Sequence, residues 1–569
     1  MTLKKRYLIL IIGLIVMVSG VASAAYAQTG YGTVSVTEVD FQAADGSMIH
    51  STLQRPFYAT NANPLPGVVV IHGSLQNKEW LMAFGIELAR RGFVVLTIDA
   101  NGHGNSDPGT GSGAAALDYI ASLDFVDSSQ IGLIGHSMGG GISWSAISES
   151  SVYVRALILV GSGFWTEAPY IPNTLVAVGS FDSLSSYPSN ITKLEPYFNV
   201  TNILPDTTYG NFTDNTARRA IFPATNHLFE TIDPIIVKES VDWMRESLKG
   251  GLEDEHWIDS SNLIFSAWLI GGLFGLLGAL LTVFPMMLIL LNIPIFTDLK
   301  HQSLDVNPRD TSSILIYGMV YGFIGVITFF PFLIIGTLIQ SVIPFPQYNG
   351  VPVMSWILGS GLIAALVLRF ILQRKSDLQL SLKDFLRIDS KEGQLAIVKT
   401  FVLAAIITIW LYALTLLVDM GLVLDLRCFL PGLHDLTLNQ ALQVPLYFIV
   451  FLVYFITEGA WFTSILQPKT TGTWTRSQIE WTAMAIFIKT LPYLILIAIE
   501  YLGGLLAGAP VIPGIIGYSW LFFYAFAPWF AICTVITVFA YRVTGNRWLG
   551  AMVNALICAW LLASILSIR

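Results

Sequence analysis

The chain has 569 residues, of which 54% are hydrophobic and only 12% carry a charge. Its mean hydropathy of +0.64 excludes an ordinary soluble protein, and its formal net charge of −8 argues against a nucleic-acid partner. The length predicts more than one domain, and the apolar excess is concentrated after residue 261. All three cysteines lie in that second half, so the sequence predicts no disulfide framework and no cysteine metal site. No motif for a metal or a nucleotide cofactor is found, so no cofactor is expected.

The first residues have the pattern of a segment that targets a protein to a membrane. Three basic residues, Lys4–Arg6, precede an apolar run, and small residues follow up to Ala27. This pattern predicts a secretory signal peptide over residues 1–27, with cleavage before Gln28. Because the apolar run is long enough to span a bilayer, an uncleaved signal anchor is the alternative. Both interpretations place the residues that follow outside the cytoplasm.

Residues 30–250, called the α/β domain below, alternate between strand and helix patterns. Strands are predicted at 34–41, 48–55, 67–71, 93–98, 130–134, 156–160, 174–178 and 217–222. Helices are predicted at 79–91, which looks amphipathic, and at 114–123 and 142–148. Such alternation is typical of an α/β fold with a doubly wound, mostly parallel sheet. The site is then expected in the loops that follow the strands.

A glycine-rich motif follows one of these strands. In Gly135-His136-Ser137-Met138-Gly139 a serine stands between two glycines, where an apolar strand pattern gives way to a helix pattern. Glycines allow the strand and the helix to approach closely at such a turn, because they lack side chains. The pentapeptide alone is a weak signal, so the surrounding residues must decide its meaning.

Two later strand ends carry residues that could work with Ser137. The last two predicted strands lead to Asp182 and to His227. A nucleophilic serine needs a histidine that takes its proton and an acid that orients the histidine. The other candidates for the acid are Asp206 and Asp214.

The chain resembles the α/β-hydrolase superfamily over residues 36–249, most of all its dienelactone-hydrolase and serine-aminopeptidase branches. The resemblance rests on motifs that stand in the family's order, namely His72-Gly73-Ser74, Asp99–Ser106, Gly135–Gly139, Asp182 and His227. It implies that Ser137 is the nucleophile, Asp182 the acid and His227 the general base. It also implies an oxyanion hole formed by the N–H groups of Ser74 and Met138. His103, in the second motif, is expected to be structural.

Two features of the α/β domain bear on access to this site. Only residues 161–173 separate the two strands between which relatives often insert a helical cap, so the site is expected to be open or covered by something else. The segment between Asp182 and His227 contains three N-x-T sequons, which predict an exterior face with possible glycosylation at Asn190, Asn199 and Asn211.

A polar linker, residues 251–261, leads to residues 262–569, called the helical region below. It contains apolar runs at about 262–292, 313–340, 351–373, 395–418, 441–466, 481–505, 515–541 and 548–567. Each run is long enough to span a bilayer, so an all-α membrane domain with about eight transmembrane helices is predicted.

Basic residues between the runs predict the orientation of these helices. If the first run is one span, one set of loops holds Lys300, Arg309, Arg369, Arg374, Lys375, Lys383, Arg387, Lys391, Lys469, Arg476, Arg542 and Arg547. The opposite loops hold only Arg427. This bias predicts a multi-pass protein whose amino terminus is cytoplasmic and whose carboxyl terminus and α/β domain are outside.

Glu458 and Lys489 are ionisable residues deep within two adjacent apolar runs. Both are nine residues from the cytoplasmic end of their run, so at about 1.5 Å per residue they lie at equal depth. A lone charge there is costly, and we therefore expect an intramembrane ion pair. The alternatives are a structural pair and a proton or substrate path.

Together these features favour a membrane-embedded serine hydrolase that cleaves an ester, thioester or amide through an acyl-enzyme on the extracytoplasmic face. Its expected partners are the bilayer and a small-molecule, lipid or peptide acyl substrate; the oligomeric state is left open. The alternatives are an aminopeptidase-like peptidase, or a non-catalytic binding or sensor module on a transporter-like membrane domain. The helical region contains no motif that shows more than an anchor.

Overall fold

The structure is a computed structural model. It describes residues 3–165, 169–300, 309–374, 391–427, 431–469 and 472–569. Three of the basic residues that predict the orientation, Lys375, Lys383 and Arg387, lie outside the described residues, as does Cys428.

One eight-stranded sheet forms the centre of the α/β domain. Its strands are β1 Val34–Gln42, β2 Met48–Pro56, β3 Leu65–Ile71, β4 Val94–Ile98, β5 Val126–His136, β6 Val154–Val160, β7 Asn173–Ala177 and β8 Arg218–Ile221. They lie in the order β1-β2-β4-β3-β5-β6-β7-β8. The pairs β1–β2 and β2–β4 are antiparallel, and the other neighbours are parallel. The predicted α/β fold class is thereby confirmed.

Helices cover both faces of the sheet, because alternate residues of its central strands point in opposite directions. They are α2 Met82–Ala89, α3 Ser112–Ala121, α4 Met138–Glu149, the short α5 Glu195–Phe198 and α6 Pro234–Lys249. In β3, Val69 and Ile71 belong to one apolar core together with side chains of α3 and α4. Val68 and Val70 belong to the other core, with side chains of α2 and α6. Every residue of β3 is buried, as expected of a strand covered on both faces.

The helix predicted at 79–91 differs from the observed one. A turn of 3₁₀ helix, Lys78–Leu81, precedes α2, and every residue of α2 is buried. The face that looked solvent-exposed contacts the helical region instead: Glu87 accepts hydrogen bonds from the N–H groups of Ile264 and Phe265, at 2.5 and 2.9 Å. The charges on this face therefore bind another part of the chain rather than water.

Beyond the linker the described chain is almost entirely helical. The helices are α7 Phe265–Leu281, α8 Val283–Leu290, α9 Thr311–Val342, α10 Gly350–Arg374, α11 Lys391–Leu422, α12 Leu438–Ala441, α13 Val444–Ser464, α14 Trp474–Ala507, α15 Gly514–Trp520, α16 Phe522–Thr544 and α17 Arg547–Ile565. Among the described residues, nine helical segments are long and apolar enough to cross a membrane. Eight of them lie in the helical region, where α7 and α8 together form one, and the ninth is the amino-terminal helix α1, Leu3–Gln28.

Helix α1 packs along α7 through a contact between small residues. A Cβ atom built on Gly20 would lie 2.5 Å from the backbone nitrogen of Gly275, and one on Gly271 would lie 2.7 Å from the Gly20 carbonyl oxygen. Glycines allow two helix backbones to approach this closely. At the end of α1, the buried Gln28 donates to the Val423 carbonyl at 2.7 Å.

The loops that follow the strands of the α/β domain contact the helical region, near the ends of its long apolar helices. Gln440 donates to the Gly104 carbonyl at 2.8 Å, and the Gly514 N–H donates to the Ser183 carbonyl at 2.6 Å. A buried ion pair joins Arg427 to Glu79 at 3.0 Å. The helical region thus lies against part of the sheet end at which the parallel strands finish.

Candidate active site

Ser137 lies between the end of β5 and the first residue of α4. Its φ is +53°, a backbone conformation that residues with a side chain rarely adopt. The flanking glycines make this turn possible: a side chain on Gly135 would collide with the backbone of Gly139, and one on Gly139 with the carbonyl of Ile71. The sequence pattern predicts this strand–turn–helix, which holds the serine at the end of the sheet.

The structure brings the three predicted catalytic side chains together. His227 Nε2 lies 3.0 Å from Ser137 Oγ, and His227 Nδ1 lies 2.9 Å from Asp182 Oδ2. Asp182 follows β7 and His227 follows β8. Because these neighbouring strands are parallel, the two residues lie at the same end of the sheet. The other candidates for the acid, Asp206 and Asp214, are exposed. The geometry favours Asp182, and the catalytic roles themselves remain predictions.

Asp182 is fully buried. Burial opposes its ionisation, but the neighbouring His227 ring and the N–H groups of Leu184 and Ser185 outweigh that effect and lower the pKa of the carboxyl. An ionised carboxylate at this position fixes the His227 tautomer, because it accepts a hydrogen bond from Nδ1 and leaves Nε2 to face the serine.

The two residues predicted to form the oxyanion hole lie side by side. The Ser74 hydroxyl donates to the Met138 sulfur at 3.3 Å. Met138 is the first residue of α4, and a first-turn N–H has no acceptor within its own helix. The Ser74 loop is held by Gln76, whose side chain accepts from the Gly73 N–H at 2.9 Å and lies 2.9 Å from His136 Nδ1. These contacts place Ser74 and Met138 next to the nucleophile.

A second carboxyl group, which the motifs did not predict, lies behind the histidine. Glu230 Oε2 lies 3.4 Å from His227 Nδ1 and 3.3 Å from His136 Nε2, and Oε1 accepts from the Gly179 N–H at 2.6 Å. Burial, and then the charge of Asp182, raise the pKa of Glu230 well above its usual range. Burial thus favours the protonated form of Glu230, whereas Asp182, whose pKa is lowered, favours the ionised form.

The ligand atoms of His136, His227 and Glu230 lie within 4.8 Å of one another, which is also a spacing found in metal sites. Both ring nitrogens of His227 already face other groups, Asp182 and Ser137. The ring nitrogens of His136 likewise face the Gln76 side chain, at 2.9 Å, and the His227 carbonyl oxygen, at 3.1 Å. We therefore assign this cluster to the arrangement around the serine and not to a metal centre.

The helical region supplies the other neighbours of His227. The Tyr518 ring lies edge-on to the His227 ring at 5.7 Å. Next to His227, the Asn226 amide donates to both carboxylate oxygens of Glu500 on α14, at 3.2 and 3.3 Å. Glu500 also accepts from the Tyr524 hydroxyl at 2.6 Å. The loop that carries His227 is therefore held by residues far away in sequence, which no motif could have identified.

The other predicted sites lie away from the serine. Asn190, Asn199 and Asn211 are all exposed, as an acceptor of a glycan must be. Lys489 Nζ lies 2.9 Å from Glu458 Oε2, so the structure brings the predicted intramembrane pair together. His103 is buried and its Nδ1 lies 3.0 Å from the Asn101 carbonyl oxygen, in keeping with a structural role.

Comparison with known proteins identifies the α/β domain. Residues 62–199 match the Hydrolase_4 family, described as serine aminopeptidase S33. The chain is 26% identical over 206 residues to a bis(hydroxyethyl) terephthalate hydrolase of Streptomyces coelicolor. This alignment covers 35% of this chain and 63% of that protein. The chain is also 29% identical over 146 residues to lipase 1 of a Moraxella species, in an alignment that covers 25% of this chain and 45% of that lipase. The chain thus matches less than two thirds of the length of either relative.

Among solved structures, an esterase of Pyrococcus furiosus is 12% identical to the chain, with a TM-score of 0.30. The match covers 38% of this chain and 94% of that esterase. The family match falls within the eight-stranded sheet, and the long apolar helices follow it. The chain therefore contains an α/β-hydrolase domain of the serine aminopeptidase S33 family, with esterase and lipase relatives, followed by a helical region that is consistent with a membrane domain.

Proposed function

We propose that the protein is a membrane-embedded serine hydrolase that cleaves esters on the extracytoplasmic face. The observation that carries this proposal is the hydrogen-bonded series Ser137 Oγ, His227 Nε2, His227 Nδ1 and Asp182 Oδ2, with separations of 3.0 and 2.9 Å. A non-catalytic binding or sensor module would not need this alignment.

In the proposed mechanism Ser137 Oγ attacks the substrate carbonyl carbon while His227 Nε2 takes the hydroxyl proton. The N–H groups of Ser74 and Met138 stabilise the oxyanion that forms, and Asp182 stabilises the imidazolium. His227 then gives the proton to the leaving group as its bond to the carbonyl carbon breaks. A water molecule, deprotonated by His227, releases the acid from the acyl-enzyme in the second half of the reaction.

Two observations support the extracytoplasmic location. The loops that contact the α/β domain are those that carry Arg427, Gly514 and the carboxyl-terminal residues, on the side where Arg427 is the only basic loop residue. The basic loops lie at the opposite helix ends, which the positive-inside rule assigns to the cytoplasm. Exposed sequons at Asn190, Asn199 and Asn211 agree with this assignment.

Esters are the favoured substrate class because the terephthalate hydrolase and the lipase among the relatives are named for them. An aminopeptidase-like activity is the second candidate, on the description of the matching family. A panel that contains both acyl esters and aminoacyl amides separates the two, since only a peptidase would prefer the amides.

Labelling of intact cells with a membrane-impermeant fluorophosphonate tests both the nucleophile and the sidedness. The unmodified protein should be labelled in intact cells, and Ser137→Ala should abolish labelling without loss of expression. Ser145→Ala is the matched control, since Ser145 lies on α4, the helix that follows Ser137. This variant should keep the label. A label that persists in Ser137→Ala refutes the nucleophile; a label that appears only after lysis refutes the extracytoplasmic location.

A further inference from the structure

Ser137 lies where two cavities of different character meet. One, the helical pocket, has a volume of about 130 Å³ and lies between the α/β domain and the helical region. The other, the open cleft, has a volume of about 1010 Å³ and lies against α3 and α4. In the described part of the chain, the residues that line both cavities are Ser74 and Ser137.

The helical pocket is apolar and is built largely by membrane-type helices. From the α/β domain it is lined by Ser137, His227 and Leu228 among others. From the helical region it is lined by Asn349, Val353, Pro431, Tyr518, Leu521, Phe522, Ala525, Phe526, Leu562, Ile565 and Leu566. Such a lining excludes a charged group and favours a hydrocarbon chain, because burying each methylene is worth about 0.8 kcal/mol.

The open cleft has a mixed lining. Small polar residues such as Ser112, Ser145 and Ser162 alternate with apolar ones such as Ile142, Phe164 and Trp165. The cleft exceeds the helical pocket in volume several times, so it can accept a bulkier part of a substrate.

The position of His227 decides which part of an ester belongs in which cavity. In the tetrahedral intermediate the oxyanion points to the Ser74 and Met138 N–H groups, and the leaving oxygen must face His227 Nε2 to receive its proton. His227 lines the helical pocket and is not among the described residues that line the open cleft. The leaving group therefore extends into the helical pocket, and the acyl group into the open cleft.

We propose that the helical pocket binds the apolar chain of a leaving alcohol, so that the substrate is an ester of a lipid-like alcohol whose acyl group lies in the open cleft. This inference rests on the proposed function. The bond from Ser137 Oγ to the carbonyl carbon forms, the bond from that carbon to the alcohol oxygen breaks, and the Ser137 proton passes through His227 to the alcohol. Water then hydrolyses the acyl-enzyme.

The pocket is placed to receive such a chain from the bilayer. It follows the first turn of α16, from Phe522 to Phe526, and the last turn of α17, near Leu562. Both helices belong to segments that are long and apolar enough to span a membrane. The pocket also reaches Asn349, an exposed residue between two further candidate spans. An alcohol chain could thus remain at the level of the lipid while its ester group reaches Ser137.

Two isomeric esters test the proposal with equal overall hydrophobicity: decyl acetate, which has the chain on the alcohol, and ethyl decanoate, which has it on the acyl group. The unmodified protein, in detergent or liposomes, should hydrolyse decyl acetate with the higher kcat/KM, by about tenfold or more if only two methylenes are buried differently. Ala525→Trp, which fills the pocket, should remove most of this preference.

Leu277→Trp is the matched control, since it adds the same bulk to an exposed position of α7. Phe526→Ala widens the pocket and should shift the preference toward longer alcohols. Fluorophosphonate labelling of each variant shows whether its serine site is assembled. Preference for ethyl decanoate, or loss of all ester hydrolysis in a labelled Ala525→Trp variant, would refute the assignment of the pocket. Labelling of Ser137→Ala would instead refute the serine mechanism itself, so the two failures are distinguishable.

Discussion

The α/β domain and the helical region each place a buried carboxyl group next to the loop that carries His227. Glu230, from the α/β domain, lies 3.4 Å from the Nδ1 atom of the ring. Glu500, from α14, instead contacts the side chain of the preceding residue, Asn226. One carboxyl group thus contacts the histidine ring itself, and the other contacts the residue that precedes it. The loop is therefore held from two sides, by the α/β domain and by the helical region.

Loss of Glu230 should have the largest effect of the three changes that test this comparison. Glu230→Ala removes the acceptor of the Gly179 N–H and leaves a cavity beside Asp182, so we expect kcat/KM for a short ester to fall by about a hundredfold. Glu230→Gln keeps the shape and resembles the protonated carboxyl that burial favours, so its kcat/KM should stay within about threefold of the unmodified value. A steady-state assay of both variants checks this, and equal losses would contradict it.

The pH dependence of stability sharpens the same point. The folded protein binds the Glu230 proton more tightly than the unfolded chain does, because burial raises the pKa. Above the usual glutamate pKa the native state therefore holds more protons, so the free energy of unfolding falls as pH rises. In Glu230→Gln the free energy of unfolding does not fall in this way, because glutamine does not titrate. The Tm of this variant, relative to that of the unmodified protein, should therefore rise from pH 5 to pH 8. The exposed Glu255→Gln is the control, and parallel Tm curves would contradict the expectation.

Loss of Glu500 should have a moderate effect. Glu500→Ala leaves the Asn226 amide and the Tyr524 hydroxyl without their acceptor, so the His227 loop can shift; we expect kcat for a short ester to fall by about tenfold with KM little changed. Glu500→Gln, which can still accept a hydrogen bond, should recover most of the loss. Glu480→Ala, on the same helix but paired with Arg476 in an exposed position, is the matched control. Equal activities of Glu500→Ala and the control would reduce the helical region to an anchor.

The Glu458–Lys489 pair should have the smallest effect on activity, since its contacts lie within the helical region. Tyr321 donates to Glu458 at 3.0 Å and accepts from Lys489 at 3.0 Å, and both charged side chains are almost fully buried. Glu458→Gln or Lys489→Met leaves one charge unpaired, so each should destabilise the protein by about 3–5 kcal/mol, and the double variant should recover much of that loss.

Thermal unfolding in detergent measures this cycle, alongside ester hydrolysis. A zero coupling energy between the two positions would contradict the structural pair. Unchanged stability with reduced activity would favour the proton or substrate path that the sequence left open.

Local patterns account for what the sequence could predict. The strand that leads to Ser137 and the residues Asp182 and His227 each carry a signal within a few neighbouring positions, and the sheet brings them together. Glu230 also left a signal, because it is an acid one helical turn after His227, in an otherwise apolar segment. That spacing could have marked it as a neighbour of the ring.

The cover of the site could not be predicted, because it depends on which helix ends meet the α/β domain. Tyr518 and Glu500 contact the His227 loop from far along the chain. Asn226 and Glu500, for example, are 274 residues apart in the sequence. The amphipathic helix predicted at 79–91 was wrong for the same reason, since every residue of α2 is buried. Glu87 looks like part of a solvated face until Ile264 and Phe265 are seen to donate to it.

The contact at Gln28 has a consequence for the architecture of the whole chain. Trp268, on α7, donates to the Gln28 side chain at 3.2 Å, so the α/β domain leaves the helices and returns to them at almost the same point. In the signal-anchor alternative, where α1 is retained, the α/β domain is in effect a large insertion into a hairpin of two helices, α1 and α7. Insertions with adjacent ends can be excised or replaced without pulling their host apart. The helical region, with α1 retained and a short glycine-rich link in place of residues 30–261, is therefore a natural unit to express on its own.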